Sequence, residues 1–279
     1  YKTVIIMKNI LVPTDFSEHS IYAVDVAVDL AKKNGATIFL LHCVELPQRF
    51  VTESTSVLPE ELFFMREASN NVKKLSLELQ AKGVEVKTVV ETSTLTNSVK
   101  TLLEKESIDF IVMGSTGATG SKELFLGSNA EKIVRTSSVP VLVIKDKTNI
   151  NEVKKIVFAC DFSQKYIDAF QKAISFAQVL GAKIDFVYIN TPYHFNSSRE
   201  IKVLIDSFST EHKEILSHNI HMYSDFSIEE GIIHFAEDHQ SDLICMFPAR
   251  QSVLMHLFNG SISEDIVNHS QKPVLTIKL

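Results

Sequence analysis

The residue types best suited to chemistry in this chain lie between Gly114 and Ser128, a glycine-rich segment directly after the apolar run 110–113. Glycine lets the backbone take left-handed conformations and approach an anion closely. A strand that ends in small residues before a helix exposes backbone N–H groups that can hold phosphate oxygens. Ser128 stands at the N-cap position of a helical pattern over 130–135. The segment therefore indicates a phosphate site, with a flexible surface loop as the alternative.

Two well-known phosphate motifs do not match this segment. The P-loop needs a lysine immediately after its last glycine, whereas Ser121 separates Gly120 from Lys122. The dinucleotide fingerprint needs Gly-x-Gly-x-x-Gly, whereas two residues separate Gly114 from Gly117 and Gly117 from Gly120. Both of these nucleotide-binding classes are excluded, and the loop alone leaves nucleotide binding and a plain loop equally open.

The segments around the loop alternate between strand and helix patterns, and they must position it. Strands are predicted at 9–12, 37–44, 85–90, 109–113 and 139–144, and helices at 17–34, 59–83, 97–105 and 128–136. This alternation, with nearly continuous apolar strands, predicts an α/β fold in which helices cover both faces of a parallel sheet. Right-handed crossovers make the sheet doubly wound, and such sheets bind ligands at the carboxyl ends of their strands, where the winding reverses.

The chain repeats itself with a period near 140 residues. Segment 12–17 recurs as 158–163, an offset of 146, and segment 109–113 matches 242–246, an offset of 133. A period of this length indicates a duplicated domain rather than a solenoid. We predict two domains, 1–147 and 148–279. The first copy carries 13 additional residues around 46–59, and we treat them as a hypothetical lid over a ligand.

The composition is that of an ordinary globular protein, with 45% hydrophobic and 22% charged residues and a net charge of −6. A negative chain without a basic stripe disfavours a nucleic-acid partner. No apolar run approaches the ~20 residues of a membrane helix, which disfavours a membrane partner. Three cysteines in apolar segments indicate a reducing compartment. The first residues lack the length and cleavage site of a signal peptide, with Met7 as a candidate initiator, so we expect a cytoplasmic protein.

The duplication and the glycine spacing together resemble the universal stress protein family in its tandem-domain form. The family's nucleotide signature, Gly-x2-Gly-x9-Gly-Ser/Thr, is met by Gly114, Gly117, Gly127 and Ser128. The opening segment 10–17 and the closing segment 139–144 of the first copy support the resemblance, which extends over 8–279. It implies two tandem doubly wound sheets, each of five parallel strands in the order 3-2-1-4-5 with helices on both faces. The switch point then lies between strands one and four of each sheet.

The resemblance also implies which residues hold an adenine nucleotide. Asp15 occupies the position that contacts the nucleoside in the ATP-binding branch of the family. A carboxylate is suited to accepting hydrogen bonds from ribose hydroxyls. The alternative for Asp15 is a helix-capping role near Ser17. Val44 occupies the position whose backbone meets adenine, and Met113 either packs beside the base or belongs to the core. The predicted cofactor-binding set is Pro13, Thr14, Asp15, Val44, Met113, Gly114, Ser115, Gly117, Gly127, Ser128 and Asn129. The cofactor is ATP, or ADP or AMP in its place, with Mg as a candidate companion ion.

The second copy departs from the signature. Phe247 replaces Gly114 and Arg250 replaces Gly117. Bulk at position 247 opposes the close approach of backbone to a phosphate. Of the site, Gly260, Ser261 and the carboxylate Asp161 remain. We therefore predict that the second domain does not bind ATP in the usual way, and a pocket for another ligand stays open as an alternative.

Eight of the ten histidines lie in the second copy. The pairs His218–His221 and His234–His239 have spacings that a metal site could use, but no cysteine lies in phase with them. Surface histidines are the favoured interpretation, and we predict no metal site.

The sequence predicts an ATP-binding stress-response regulator rather than an enzyme. No Ser-His-Asp order or paired carboxylates accompany the loop, and the resemblance implies at most slow hydrolysis. The alternatives are a nucleotide-independent scaffold or small-ligand module that uses the second domain, and a slow ATPase or self-phosphorylating protein with Ser115, Thr116 or Ser121 as acceptor. In this family the final strands pair between domains, so we expect pairing within the chain, a homodimer, or both.

Overall fold

A computed structural model describes residues 5, 7–44, 59–115, 128–164, 167–247 and 270–278. These residues form two compact units that divide between Lys147 and Thr148, with Ile5 belonging to the second. Most of the predicted glycine loop and the hypothetical lid lie outside the described residues. Of the helices that the structure describes, none combines the length and hydrophobicity needed to span a lipid bilayer.

The first unit is a doubly wound parallel sheet. Its elements are β1 (Asn9–Pro13), α1 (Glu18–Asn34), β2 (Thr37–Cys43), α2 (Pro59–Ala81), β3 (Glu85–Glu91), α3 (Leu95–Lys105), β4 (Phe110–Gly114), α4 (Ser128–Thr136) and β5 (Val141–Ile144). The strands lie in the order β3-β2-β1-β4-β5, as predicted. Leu11 of β1 pairs with Phe39 of β2 on one side and with Ile111 of β4 on the other, so the winding reverses between β1 and β4.

Local sequence explains how the elements of the first unit begin and end. Ile10, Leu11 and Val12 are fully buried, which is typical of a central strand covered on both faces. Ser17 is the N-cap of α1, and its side chain accepts a hydrogen bond from the Ser20 N–H. Helix α1 ends at Gly35, whose φ of 63° is left-handed and whose N–H donates to the Ala31 carbonyl. Both ends of this helix are as the sequence predicts.

The second unit repeats the architecture. Its elements are β6 (Lys155–Ala159), α5 (Ile167–Leu180), β7 (Lys183–Asn190), α6 (Ser198–Glu211), β8 (Asn219–Ser224), α7 (Ile228–Asp238), β9 (Leu243–Met246) and β10 (Val274–Thr276). The strands are parallel in the order β8-β7-β6-β9-β10, which is the order of the first unit. The switch point therefore recurs between β6 and β9.

Candidate functional site

The carboxyl edge of the first sheet brings together the ends of β1, β2, β4 and β5. Past the end of β1, the Thr14 N–H donates to the Leu41 carbonyl of β2 at 2.8 Å. Past the end of β4, the Ser115 N–H donates to the Ile144 carbonyl of β5 at 2.9 Å. These two bonds hold the first residues after β1 and β4 in place at the edge where doubly wound sheets bind ligands.

Asp15 lies in the turn between β1 and α1 and is partly exposed. Its Oδ1 accepts the Ser17 N–H at 3.0 Å and the Ser17 hydroxyl at 2.6 Å. This is the local pattern by which an aspartate stabilises a turn before a helix. Asp15 therefore has the local structural role that the alternative describes, in the turn just before the N-cap Ser17, and its Oδ1 makes these two bonds.

Thr14, which the resemblance assigns to the adenine-facing wall, is 5% exposed. Its hydroxyl lies 3.0 Å from the Ser20 hydroxyl and accepts the Phe16 N–H at 3.1 Å. The side chain of Thr14 therefore ties the turn to α1, and its backbone carbonyl accepts a hydrogen bond from His42 Nδ1 at 2.7 Å. His42 belongs to none of the motifs found in the sequence.

Gly114, at the end of β4, has α1 packed directly against it. A Cβ built on Gly114 would lie 2.9 Å from the carbonyl carbon and the oxygen of His19 and 3.0 Å from the Ser20 nitrogen. Because these are main-chain atoms of the first turn of α1, they cannot move away as a side chain would. The contact requires glycine at position 114 whether or not a phosphate binds there.

The other predicted residues fall into four groups. Pro13, Met113 and Ser115 are buried; Met113 is 4% and Ser115 5% exposed. Val44 is partly exposed, and its N–H donates to the Glu91 carbonyl at 2.8 Å. Ser128 begins α4, and Asn129 is exposed in its first turn. Gly117 and Gly127 lie outside the described residues.

The corresponding edge of the second unit is filled by aromatic side chains. Phe247, at the position of Gly114, is 3% exposed, and its ring lies 5.5 Å from that of Phe158. Phe162, at the position of Phe16, is also 3% exposed and packs against Phe170 and Phe208 at 6.0 Å each. Both side chains are therefore buried in an aromatic cluster of the second unit.

A loop closes over the end of β7 in the second unit. Asn190, at the position of Val44, donates from its amide to the Asn196 carbonyl and accepts the Asn196 N–H, both at 3.0 Å. Tyr188, at the position of His42, has its hydroxyl 2.6 Å from the Asn196 amide nitrogen. The side chain at the position that corresponds to Val44 is therefore engaged by its own chain.

Comparison with known proteins agrees with these two sheets. The model of the universal stress protein family matches residues 7–145 and, a second time, residues 152–278. The chain belongs to the universal stress protein family. It is in the tandem-domain form, because the two matches follow one another along a single chain.

This universal stress protein is similar to a relative that matches nearly its whole length and to a shorter relative that matches half of it. Universal stress protein Slr1230 of Synechocystis is 26% identical over 300 residues, covering 98% of this chain and 100% of the relative. Universal stress protein MJ0531 of Methanocaldococcus jannaschii is 35% identical over 144 residues, covering 50% of this chain and 82% of the relative. The crystal structure of a universal stress protein from Archaeoglobus fulgidus superposes with a TM-score of 0.72 at 22% identity. It covers 99% of this chain and 98% of that chain, and it shows the same fold.

The histidines of the second universal stress domain associate differently from the pairs that their spacing suggests. His234 Nδ1 lies 2.7 Å from Asp225 Oδ2, and this hydrogen bond raises the pKa of His234. The ring of His239 lies 5.0 Å from that of His221, whose Nε2 is 3.9 Å from Asp185 Oδ2. Within the described part of the chain, no three His, Cys, Asp or Glu side chains form a group that could hold a metal ion.

The first universal stress domain has two further features, a partly buried lysine after β5 and a groove between α3 and α4. Lys145 directly follows β5, and burial lowers the pKa of its ammonium group to about 8. A groove of about 430 Å³ lies between α3 and α4. Its lining includes Thr96, Lys100, Ile133 and Ser137 and none of the predicted nucleotide residues. The groove is therefore not the site that the sequence predicts.

Proposed function

We propose that this universal stress protein is an adenine-nucleotide-binding regulator that holds its nucleotide in the first domain. The observation that carries the proposal is the switch-point edge between β1 and β4. There, the turn with Asp15 leads into α1, and the first turn of α1 packs on Gly114 at the end of β4. A carboxylate and the end of the strand that leads into the glycine-rich segment thus lie on either side of one helix start.

Each part of a nucleotide finds a suitable partner at this edge. The partly exposed carboxylate of Asp15 suits ribose hydroxyls. The Val44 N–H is engaged by Glu91, so a base would contact the Val44 carbonyl. The N-terminus of α4 begins at Ser128 and carries partial positive charge, which favours phosphates. Lys145 adds a cation after β5. Mg²⁺ would bind through the phosphates and water rather than in an all-protein cage.

The proposal assigns ATP to the first domain alone. Phe247 places a buried ring where the first unit has Gly114, and Asn190, at the position of Val44, is hydrogen-bonded to Asn196 of its own chain. These contacts support a second domain that does not take a nucleotide at this edge. The chain divides accordingly into a nucleotide domain, 1–147, and a degenerate domain, 148–279.

Of the three candidate acceptors for self-phosphorylation, the structure describes Ser115, whose hydroxyl belongs to a residue that is 5% exposed; Thr116 and Ser121 lie outside the described residues. A cytoplasmic location and pairing of the domains within or between chains are further parts of the proposal. Light scattering of the purified protein tests the pairing between chains.

Radiolabelled ATP and one matched pair of variants test the proposed function. Asp15→Asn keeps an oxygen for the Ser17 N–H but replaces the other carboxylate oxygen by an amide nitrogen, which cannot accept a hydrogen bond from a ribose hydroxyl. Since a hydrogen bond to a charged group is worth about 1.5–3 kcal/mol, ATP affinity should fall about 10- to 100-fold. Asp161→Asn is the control, because Asp161 accepts the Ser163 N–H in the same kind of turn, at 2.9 Å.

Three outcomes separate the hypotheses. Intact nucleotide retained by the parent and by Asp161→Asn, and lost from Asp15→Asn, supports the regulator. Phosphate released at a steady rate would favour the slow ATPase instead. A parent protein that binds no adenine nucleotide overturns the proposal and leaves the scaffold.

A further inference from the structure

We propose that His42 is a positioning residue of the nucleotide site, which orients Asp15 by donating a hydrogen bond to the Thr14 carbonyl. This inference rests on the proposed function. Nothing in the motif spacing points to His42, and its role follows from contacts on both sides of Asp15.

The first contact fixes the peptide group that leads into Asp15. His42 Nδ1 lies 2.7 Å from the carbonyl oxygen of Thr14, and that oxygen belongs to the peptide bond between Thr14 and Asp15. Because a carbonyl oxygen only accepts hydrogen bonds, Nδ1 carries the hydrogen and the neutral ring has its lone pair on Nε2. A side chain on β2 therefore sets the plane of the peptide from which Asp15 extends.

The second contact supports the residue that follows Asp15. Phe16 has a φ of 62°, a left-handed conformation that is unfavourable for a bulky residue. Its ring lies 4.8 Å from the ring of His42. Left-handed residues of this kind persist only where the surrounding structure holds them, and they cluster at functional sites. His42 thus contacts the residues before and after Asp15, and we assign the orientation of the carboxylate to the hydrogen bond with Thr14.

The second unit provides an internal comparison. Phe162 is also left-handed, with a φ of 55°, and Asp161 accepts the Ser163 N–H just as Asp15 accepts that of Ser17. There, however, Tyr188 stands at the position of His42 and bonds to Asn196 instead of to the turn. The turn therefore forms without a histidine. The bridge from β2 to the turn is found in the unit that we propose binds nucleotide, which argues for a role beyond folding.

Three variants of His42 separate the hydrogen bond from the ring. His42→Phe keeps a ring for Phe16 and removes the donor. His42→Asn removes the ring and keeps a nitrogen donor at the place of Nδ1. His42→Gln moves the amide one bond further out, so it loses the Nδ1 bond without adding bulk, and it replaces His42→Phe if that variant does not fold. Tyr188→Phe in the second unit is the matched control.

Binding is measured with two ligands, ATP and 2′,3′-dideoxy-ATP, because the second lacks the hydroxyls that Asp15 is proposed to contact. His42→Phe and His42→Gln should weaken ATP binding about 3- to 10-fold, the range expected for one hydrogen bond. Their affinity for dideoxy-ATP should stay within twofold of the affinity of the parent protein. His42→Asn should bind ATP within about twofold of the parent, and Tyr188→Phe should not change either affinity.

The outcomes distinguish this inference from the proposed function beneath it. Equal losses for ATP and dideoxy-ATP would show that His42 only supports the fold and would overturn the inference, while ATP binding by the parent would still support the site. Unchanged ATP affinity in His42→Phe and His42→Gln would overturn it as well. A parent protein that binds neither ligand would overturn both the proposed nucleotide-binding function and the role of His42.

Discussion

A Cβ on Gly114 would stand 2.9 Å from the carbonyl carbon of His19, closer than real Cβ contacts come. The end of β4 and the first turn of α1 are therefore in backbone contact at the switch point. The same position in the second copy carries Phe247, which is buried against Phe158. The same position of the fold thus requires glycine in the first unit and carries a large buried side chain in the second.

Gly114→Ala should destabilise the first unit by about 1–3 kcal/mol, the usual cost of overpacking, because main-chain atoms of His19 and Ser20 cannot relax. Hydrogen exchange followed by mass spectrometry measures the change unit by unit. Gly231→Ala is the control, since its Cβ would meet the Ile189 side chain at 2.5 Å. Adding Ile189→Ala should offset part of the cost at Gly231. A Gly114→Ala protein as stable as the parent would contradict the close packing of Gly114 against α1.

Phe247→Ala should destabilise the second unit by about 3–5 kcal/mol, because it removes a buried ring from the cluster around Phe158. It should not create ATP binding, since Asn190, at the position of Val44, stays hydrogen-bonded to Asn196. Hydrogen exchange and a nucleotide-binding assay on the same sample check both expectations. New ATP binding by Phe247→Ala would mean that bulk at position 247 alone blocks the second site.

Sequence patterns predicted the sheet well because its determinants are local. The apolar run of β1, the Ser17 cap and the left-handed Gly35 are each readable within a few residues, and the strand order follows from the family resemblance. The packing of Gly114 on α1 was not predictable in the same way. It joins residues about a hundred positions apart, whereas the spacing of the glycines indicates only the close approach of a phosphate.

The contacts of His42 and of the histidines in the second unit were also not predictable from local sequence. A histidine near the end of a strand has no motif, and its bond to Thr14 depends on the turn of a neighbouring strand. Spacing along the chain paired His218 with His221, whereas the fold brings His221 on β8 beside His239 at the end of α7. Aligning the two copies, which places His42 opposite Tyr188, was the one sequence signal that could have drawn attention to it.

The second unit should lose stability as the pH falls below about 6.5, the ordinary pKa of histidine. Burial lowers the pKa values of His218 and His221 in the folded state, although the nearby carboxylate of Asp185 opposes this. The unfolded chain then binds more protons than the folded one, so stability is fully present above the unfolded pKa and declines on acidification. His234 acts in the opposite sense, since Asp225 raises its pKa. Its exposure limits that effect.

Urea unfolding between pH 5 and 7.5, followed by hydrogen exchange in the second unit, measures this dependence. The two substitutions His218→Gln and His221→Gln together should flatten the profile of the second unit. His234→Gln should make the acid loss slightly steeper. A second unit that gains stability on going from pH 7 to pH 5 would contradict the assignment of these histidines as neutral, partly buried groups.

Asn190→Ala should open the loop after β7. Both hydrogen bonds between Asn190 and Asn196 would be lost, and this loop carries Tyr193 and Phe195, which are 89% and 71% exposed. Chymotrypsin cleaves after such residues, and cleavage requires the local backbone to open. Limited proteolysis with identification of fragments should show faster cleavage at this loop in Asn190→Ala. Tyr188→Phe loses a single bond to Asn196 and should give an intermediate rate. Equal rates in all three proteins would mean that Asn190 does not hold the loop closed over the edge of the second sheet.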